Sequence, residues 1–135
     1  MKFGYLILYV EDVARSVEFY ERAFGLKRLF IHESNDYAEM ETGSTKLAFA
    51  SLTLAEENGL VFDQRTSSAM HSPFEIALVS ENVEASFVQA ILQGATEIKK
   101  PIQKPWGQLV GYVKDLNGVL VEICSPIAAQ GGGEK

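Results

Sequence analysis

The sequence predicts an α+β fold built from two tandem βαβββ modules, and three observations predict it. The chain states one pattern twice, each copy opening with an alternating apolar strand followed by a capped amphipathic helix. Each helix ends at a glycine. Three strand-like stretches separated by turn signals then follow each helix.

The first copy opens "YLILYVEDVARSVEFYERAFG" and the second "FEIALVSENVEASFVQAILQG". Asp12 and Asn82 stand 70 positions apart as helix N-caps, because their side-chain oxygens accept from backbone N–H groups left free in the first turn. Val13, Val17, Tyr20 and Phe24 recur at helical spacing, as do Val83, Phe87, Ala90 and Ile91, so each helix has one face for a core. Gly25 and Gly94 supply the positive-φ residue that ends each helix. Strands are expected over 27–34, 36–41 and 46–51 in the first copy and over 97–103, 108–114 and 119–125 in the second. The segments "SND", "TGST", "KPWG" and "DLNG" are the turns between them. The whole chain, 1–135, reads as a single domain: module one 3–51, a connector 52–72, module two 73–126 and a flexible tail 127–135. One helical turn is expected in the connector at "LAEEN".

Composition narrows the function. At 135 residues the chain suffices for a real core. A net charge of −6 argues against a nucleic-acid surface and favours cationic small molecules or metal ions as partners. No apolar run approaches the roughly 20 residues that span a bilayer. "YLILYV" is too short for the apolar core of a secretion signal and is followed by acidic residues. The single cysteine, Cys124, forms no internal disulfide and suits the reducing cytoplasm, where the protein is expected to reside. Cys124 lacks a histidine placed to activate it and is expected to be an inert, buried thiol.

The last strand, "GVLVEICSP", holds one residue foreign to a sheet interior, Glu122. An unpaired buried carboxylate costs several kcal/mol or takes up a proton. Strand alternation and the internal repeat assign it company. Shifting the first strand by 70 positions sets Tyr5 on Glu75, Ile7 on Ala77 and Tyr9 on Val79. Aligning the last strands sets Ala48 on Glu122. If the copies pack about a pseudo-twofold axis, these positions line one cavity. The plainer alternative for Glu122 is an ion pair with Lys46 or Lys114 on an exposed face.

These residues carry a family likeness. The stretches "YVEDVARSVEFYERAFGL", "PFEIALVS" and above all "KPWGQLVGYVKDLNGVLVEICSP" resemble the vicinal oxygen chelate superfamily. That superfamily includes glyoxalase I, bleomycin-resistance proteins, fosfomycin-resistance enzymes and extradiol dioxygenases. The likeness covers residues 3–126, and Leu116 departs from the proline usual in that turn. It implies a curved mixed sheet around a cavity, often completed by a homodimer. It also implies metal-ligand positions at Tyr5, Ala48, Glu75 and Glu122. Members usually carry His or Gln at the first of these, Glu or another ligand at the second and His at the third, so only Glu122 matches outright.

Two readings follow. The first is a bleomycin-resistance-like protein that binds a small cationic or aromatic ligand beside a degenerate metal site, with no cofactor. Tyr5, Ile7, Tyr9, Ala48, Glu75, Trp106, Leu120 and Glu122 are its expected binding residues. The alternative is a lyase or isomerase of the glyoxalase I type, dependent on a divalent metal held by Glu75 and Glu122. Those two carboxyls would then serve as ligand and base, and they also suit metal-free acid–base work. His32 and His71 read as surface imidazoles, while Phe49, Phe74 and Tyr20 read as core.

Overall fold

The computed structural model describes residues 1–62 and 70–127. The chain divides into two compact units, Met1–Arg65 and Thr66–Lys135. Residues 63–69 of the expected connector and 128–135 of the expected tail lie outside the described residues.

The first unit runs β1 (Tyr5–Val10), α1 (Val13–Phe24), β2 (Lys27–Ile31), β3 (Tyr37–Glu41), β4 (Lys46–Ser51) and α2 (Leu52–Glu57). Its four strands form a mixed sheet in the order β1-β4-β3-β2, with β1 and β4 parallel and the other pairs antiparallel. Asp12 accepts from the Arg15 N–H at 3.0 Å to start α1, and Gly25 at φ 70° ends it. Alternation then splits the sheet into two faces. Leu8, Val10, Ala38, Met40, Leu47 and Phe49 are buried on one, and Tyr20 of α1 meets Phe49 there with ring centroids 5.1 Å apart. Tyr5, Ile7, Tyr9, Tyr37, Glu39, Ala48 and Ala50 stand on the opposite face by the same register. The helical turn expected at "LAEEN" is α2, capped by Ser51, whose hydroxyl accepts from the Leu54 N–H at 3.0 Å.

The second unit repeats the design with β5 (Ile76–Val79), α3 (Val83–Leu92), β6 (Thr96–Gln103), β7 (Leu109–Lys114) and β8 (Leu120–Cys124). Its sheet order is β5-β8-β7-β6, with β5 and β8 parallel. Asn82 caps α3 by accepting from the Ala85 N–H at 3.1 Å. Gly94 follows its last turn at φ 110°. Val83, Phe87 and Ala90 of α3 are buried, as are Ile76, Val113, Val121 and Ile123 of the sheet. Gly111 lies on this face because there is no room for more: a Cβ there would come within 3.0 Å of Pro101 and 3.1 Å of Phe87. The fold is thus α+β, two tandem βαβββ modules, each a four-stranded mixed sheet with a helix on one face. Phe74, read from sequence as core beside Phe49 and Tyr20, is instead 47% exposed. It precedes β5 and so escapes the helix-covered face.

Candidate functional site

In the second module the face of the sheet opposite Val121 and Ile123 gathers most of the unusual chemistry. Ala77, Glu122 and Tyr112 stand side by side on β5, β8 and β7. The Tyr112 hydroxyl donates to Glu122 Oε1 at 3.3 Å. Glu75 precedes β5 by one residue, so it lies one diagonal step from Glu122 on the same face. The Glu75 carboxyl is hydrogen-bonded to that of Glu122. This contact, with desolvation and the charge of Glu122 behind it, raises the Glu75 pKa to about 7. Two carboxylates cannot both keep full charge at hydrogen-bond distance, so the pair holds a proton near neutrality.

The neighbours respond to the same field. Burial, then the charges of Glu122 and Glu75, raises the Tyr112 phenol, which therefore remains a hydrogen-bond donor. Burial, then a hydrogen bond with Glu122, pushes the Cys124 thiol up to about 11. Cys124 is buried, and its thiol also donates to the Leu78 carbonyl at 3.8 Å. A thiol with so high a pKa is a poor nucleophile at neutral pH.

The remaining expected site residues divide between the units. Leu120 shares the Glu122 face by alternation. Trp106, 53% exposed, sits in the turn between β6 and β7 and donates its indole N–H to Gln108 at 2.9 Å. Tyr5, Ile7, Tyr9 and Ala48 belong to the first module, where Ile7 and Ala48 are partners on β1 and β4 as Ala77 and Glu122 are on β5 and β8. The repeat register read from sequence is therefore the register of the two ladders. Lys46, a possible ion-pair partner of Glu122, instead pairs with Glu41 at 3.4 Å within the first module. His32 is exposed and bonded through Nδ1 to Ser34, and His71 is exposed.

Three residues of these faces escaped sequence reasoning. Tyr112 and Glu39 occupy equivalent places on the third strands, and strand pairing of the repeats was the signal that would have found them. Phe62, in the connector, stacks on Tyr9 with centroids 4.3 Å apart and planes 17° from parallel. No periodicity marks it.

A family model described as the Glyoxalase/Bleomycin resistance protein/Dioxygenase superfamily matches residues 2–123. The chain belongs to this superfamily. A similar relative is the protein YraH of Bacillus subtilis strain 168, described as uncharacterized. It is 29% identical over 127 residues, covering 91% of this chain and 97% of that protein. Among solved structures, a glyoxalase-related enzyme from Fulvimarina pelagi superposes with a TM-score of 0.78 at 21% identity, over 93% of this chain and 88% of that one. A glyoxalase/bleomycin resistance protein/dioxygenase family enzyme from Burkholderia phytofirmans PsJN gives a TM-score of 0.78 at 20% identity, over 93% and 98%. These likenesses carry the superfamily's fold.

The divalent metal that the superfamily implies can be tested against the donors present. Ala48 offers only a methyl group, and Glu75 and Glu122 are engaged with each other through a hydrogen bond. Among the described residues no three His, Cys, Asp or Glu side chains come together as a metal site. Two mutually bonded carboxyls are a weak donor set for a transition metal, and a hard ion generally asks for more oxygen ligands. These residues do not fit a resident metal ion. Among the described residues, no helix is long and apolar enough to cross a membrane.

Proposed function

We propose that this superfamily member binds a small cationic ligand, one bearing an amine, at the Glu75–Glu122 carboxyl pair. One observation carries the reading: two carboxyls are bonded to each other, and every resolved influence on Glu75 raises its pKa, none of them a basic side chain. Among the described residues no basic side chain acts on Glu75, and an ammonium group supplies that charge while releasing the trapped proton. Tyr112 orients Glu122 from one side. Ala77, Val79 and Leu120 provide apolar surface around the pair, and Trp106 an aromatic surface at the end of the sheet. Tyr5, Ile7, Tyr9 and Ala48 are proposed as ligand-binding residues of the first module's own sheet face. The net charge of −6 favours the approach of cations. The reading includes a homodimer in the cytoplasm, supported by superfamily resemblance and the lone buried Cys124.

The test is thermal denaturation with benzylamine and with its neutral analogue benzyl alcohol, on the parent and on Glu122→Gln. Native-state binding raises the melting temperature by mass action. A rise with the amine alone, lost in Glu122→Gln, is expected. Equal rises with both compounds would sink the proposal.

A second reading is favoured by one observation, the titration of Glu75 at about 7. A carboxyl pair that holds a single proton near neutrality can take a proton from one substrate atom and return it to another, as a lyase or isomerase of the glyoxalase type requires. Exchange of carbon-bound hydrogen of an α-hydroxy ketone with D2O, abolished by Glu75→Gln, would establish it. Absence of exchange in the parent would dismiss it for that substrate class.

A further inference from the structure

The open face of the first module holds a second arrangement. Tyr9 and Ile7 on β1 flank Ala50 and Ala48 on β4, and Tyr37 and Glu39 on β3 stand on the far side. The alanines have no reach above the sheet and lie between two walls of larger side chains, and with Phe62 in place they are covered, Ala48 0% and Ala50 2% exposed. The wall strands are two inter-strand spacings apart, about 9.6 Å. Tyr37 donates to Glu39 Oε2 at 2.9 Å, and among the described residues the other oxygen, Oε1, has no hydrogen-bond partner. On the opposite wall the Tyr9 ring is already stacked, by Phe62, in a near-parallel pair at 4.3 Å. Phe62 reaches it from the connector beyond α2 and remains 40% exposed, while the preceding Leu60 and Val61 are 43% and 96% exposed. The ring is therefore placed on Tyr9 without being locked into a core.

We propose that Phe62 is a displaceable internal occupant of an arylalkylamine site on the first module, the ligand's ring taking Phe62's place on Tyr9 and its ammonium group reaching Glu39. Stacking supplies the ring's recognition, and the open carboxylate oxygen supplies the charge-assisted hydrogen bond. Occupation by Phe62 reduces apparent affinity by the fraction of molecules in which the slot is open. The inference rests on the ligand class proposed above and deepens the first module's part in it, adding Phe62 and Glu39 to Tyr9, Ile7 and Ala48.

The experiment is a fluorine NMR titration with para-fluorophenethylamine and with para-fluorophenethyl alcohol. All variants carry Glu75→Gln and Glu122→Gln, so that failure of the second-module site cannot be mistaken for failure of this one. Phe62→Ala is expected to bind the amine about tenfold more tightly than the Phe62 parent, as for a slot open about a tenth of the time. Adding Glu39→Gln should remove the preference for amine over alcohol. Phe62→Trp, a larger internal occupant, should bind more weakly than the parent. Phe62→Ala binding no more tightly, or amine and alcohol binding equally with Glu39 intact, overturns the proposal. Should circular dichroism show Phe62→Ala unfolded, Phe62→Trp decides: weaker binding supports the proposal, and equal or tighter binding overturns it.

Discussion

The two modules run the same ladder with their functional groups in different columns. On the open face of the first, Ile7, Ala48 and Glu39 stand side by side on β1, β4 and β3. In the second those places are Ala77, Glu122 and Tyr112. The acid therefore sits on the third strand of one module and on the fourth strand of the other. The move changes its company. Glu39 accepts from a tyrosine on its own strand, two residues away. Glu122 has its tyrosine on the antiparallel neighbour and a second carboxyl, Glu75, arriving from the parallel one. Both acids lie on interior strands, so the neighbours make the difference: Glu39 is flanked by Ala48 and Phe30, whereas Glu122 is flanked by Ala77 and Tyr112 with Glu75 one diagonal step away.

The most severe way to break the difference is to install the second module's acid in the first. Ala48→Glu would put a carboxylate at a position with 0% exposure, directly opposite Glu39. A buried charge with a like-charged neighbour is expected to cost roughly 3–5 kcal/mol, read from urea denaturation. A loss below about 1 kcal/mol, within the range of ordinary surface substitutions, would mean that the first face is far more open than its alanine floor indicates.

The closed faces offer a second contrast. Ala38 in the first module and Gly111 in the second are equivalent, paired with Phe49 and Ile123. Only Gly111 has Pro101 pressed against it. Gly111→Ala is expected to destabilise by about 1–3 kcal/mol through overpacking, while Ala38→Gly loses only a methyl contact and some chain stiffness, about 1–2 kcal/mol. Equal stability of Gly111→Ala and the parent in chemical denaturation would contradict the close packing of β6 on β7.

Protonation separates the modules more gently. The Glu75 pKa is raised in the folded protein from its ordinary value of 4.5 to about 7. The folded state thus binds this proton more tightly than the unfolded chain does. The resulting stability is complete below about pH 4.5 and is lost as pH rises through about 7. Glu75→Gln should remove that slope and leave the variant more stable than the parent at about pH 8, where the pair repels itself. A variant with the parent's slope over this window would show that Glu75 does not share the proton.

The smallest effects belong to the tyrosine hydroxyls. Tyr37→Phe deletes a 2.9 Å bond and Tyr112→Phe a 3.3 Å one. Both groups are half-buried, so each loss is expected near 1 kcal/mol or less, larger for Tyr37. Reversed order in paired melts would sharpen the comparison by showing that Tyr112 supports the carboxyl pair more than its bond length suggests.

Much of this is legible in the sequence alone. Asp12, Gly25, Asn82 and Gly94 mark the helices because caps and positive-φ residues act locally. The 70-residue shift that sets Tyr5 on Glu75 and Ile7 on Ala77 needs only the period-2 alternation of a strand. It marks Glu75, and the separate alignment of the last strands marks Glu122 against Ala48. Phe74 went astray because apolar character does not say on which side of a strand's first residue the helix cover begins. Tyr112, Glu39 and Phe62 stayed unread because each takes its meaning from a neighbour far along the chain.

By itself, the sequence determined the repeat, the order of elements, the faces of the strands and the presence of two acids where a sheet interior wants none. These follow from short-range rules: capping, turn chemistry and alternation act within a few residues. Only the tertiary structure decided that Glu75 and Glu122 hold a hydrogen bond between them, that Tyr112 closes on one of them, and that Phe62 covers Tyr9. Those contacts depend on which strand lies beside which and in what register. Such pairings are chosen by burial of the whole core rather than by any residue's own preference.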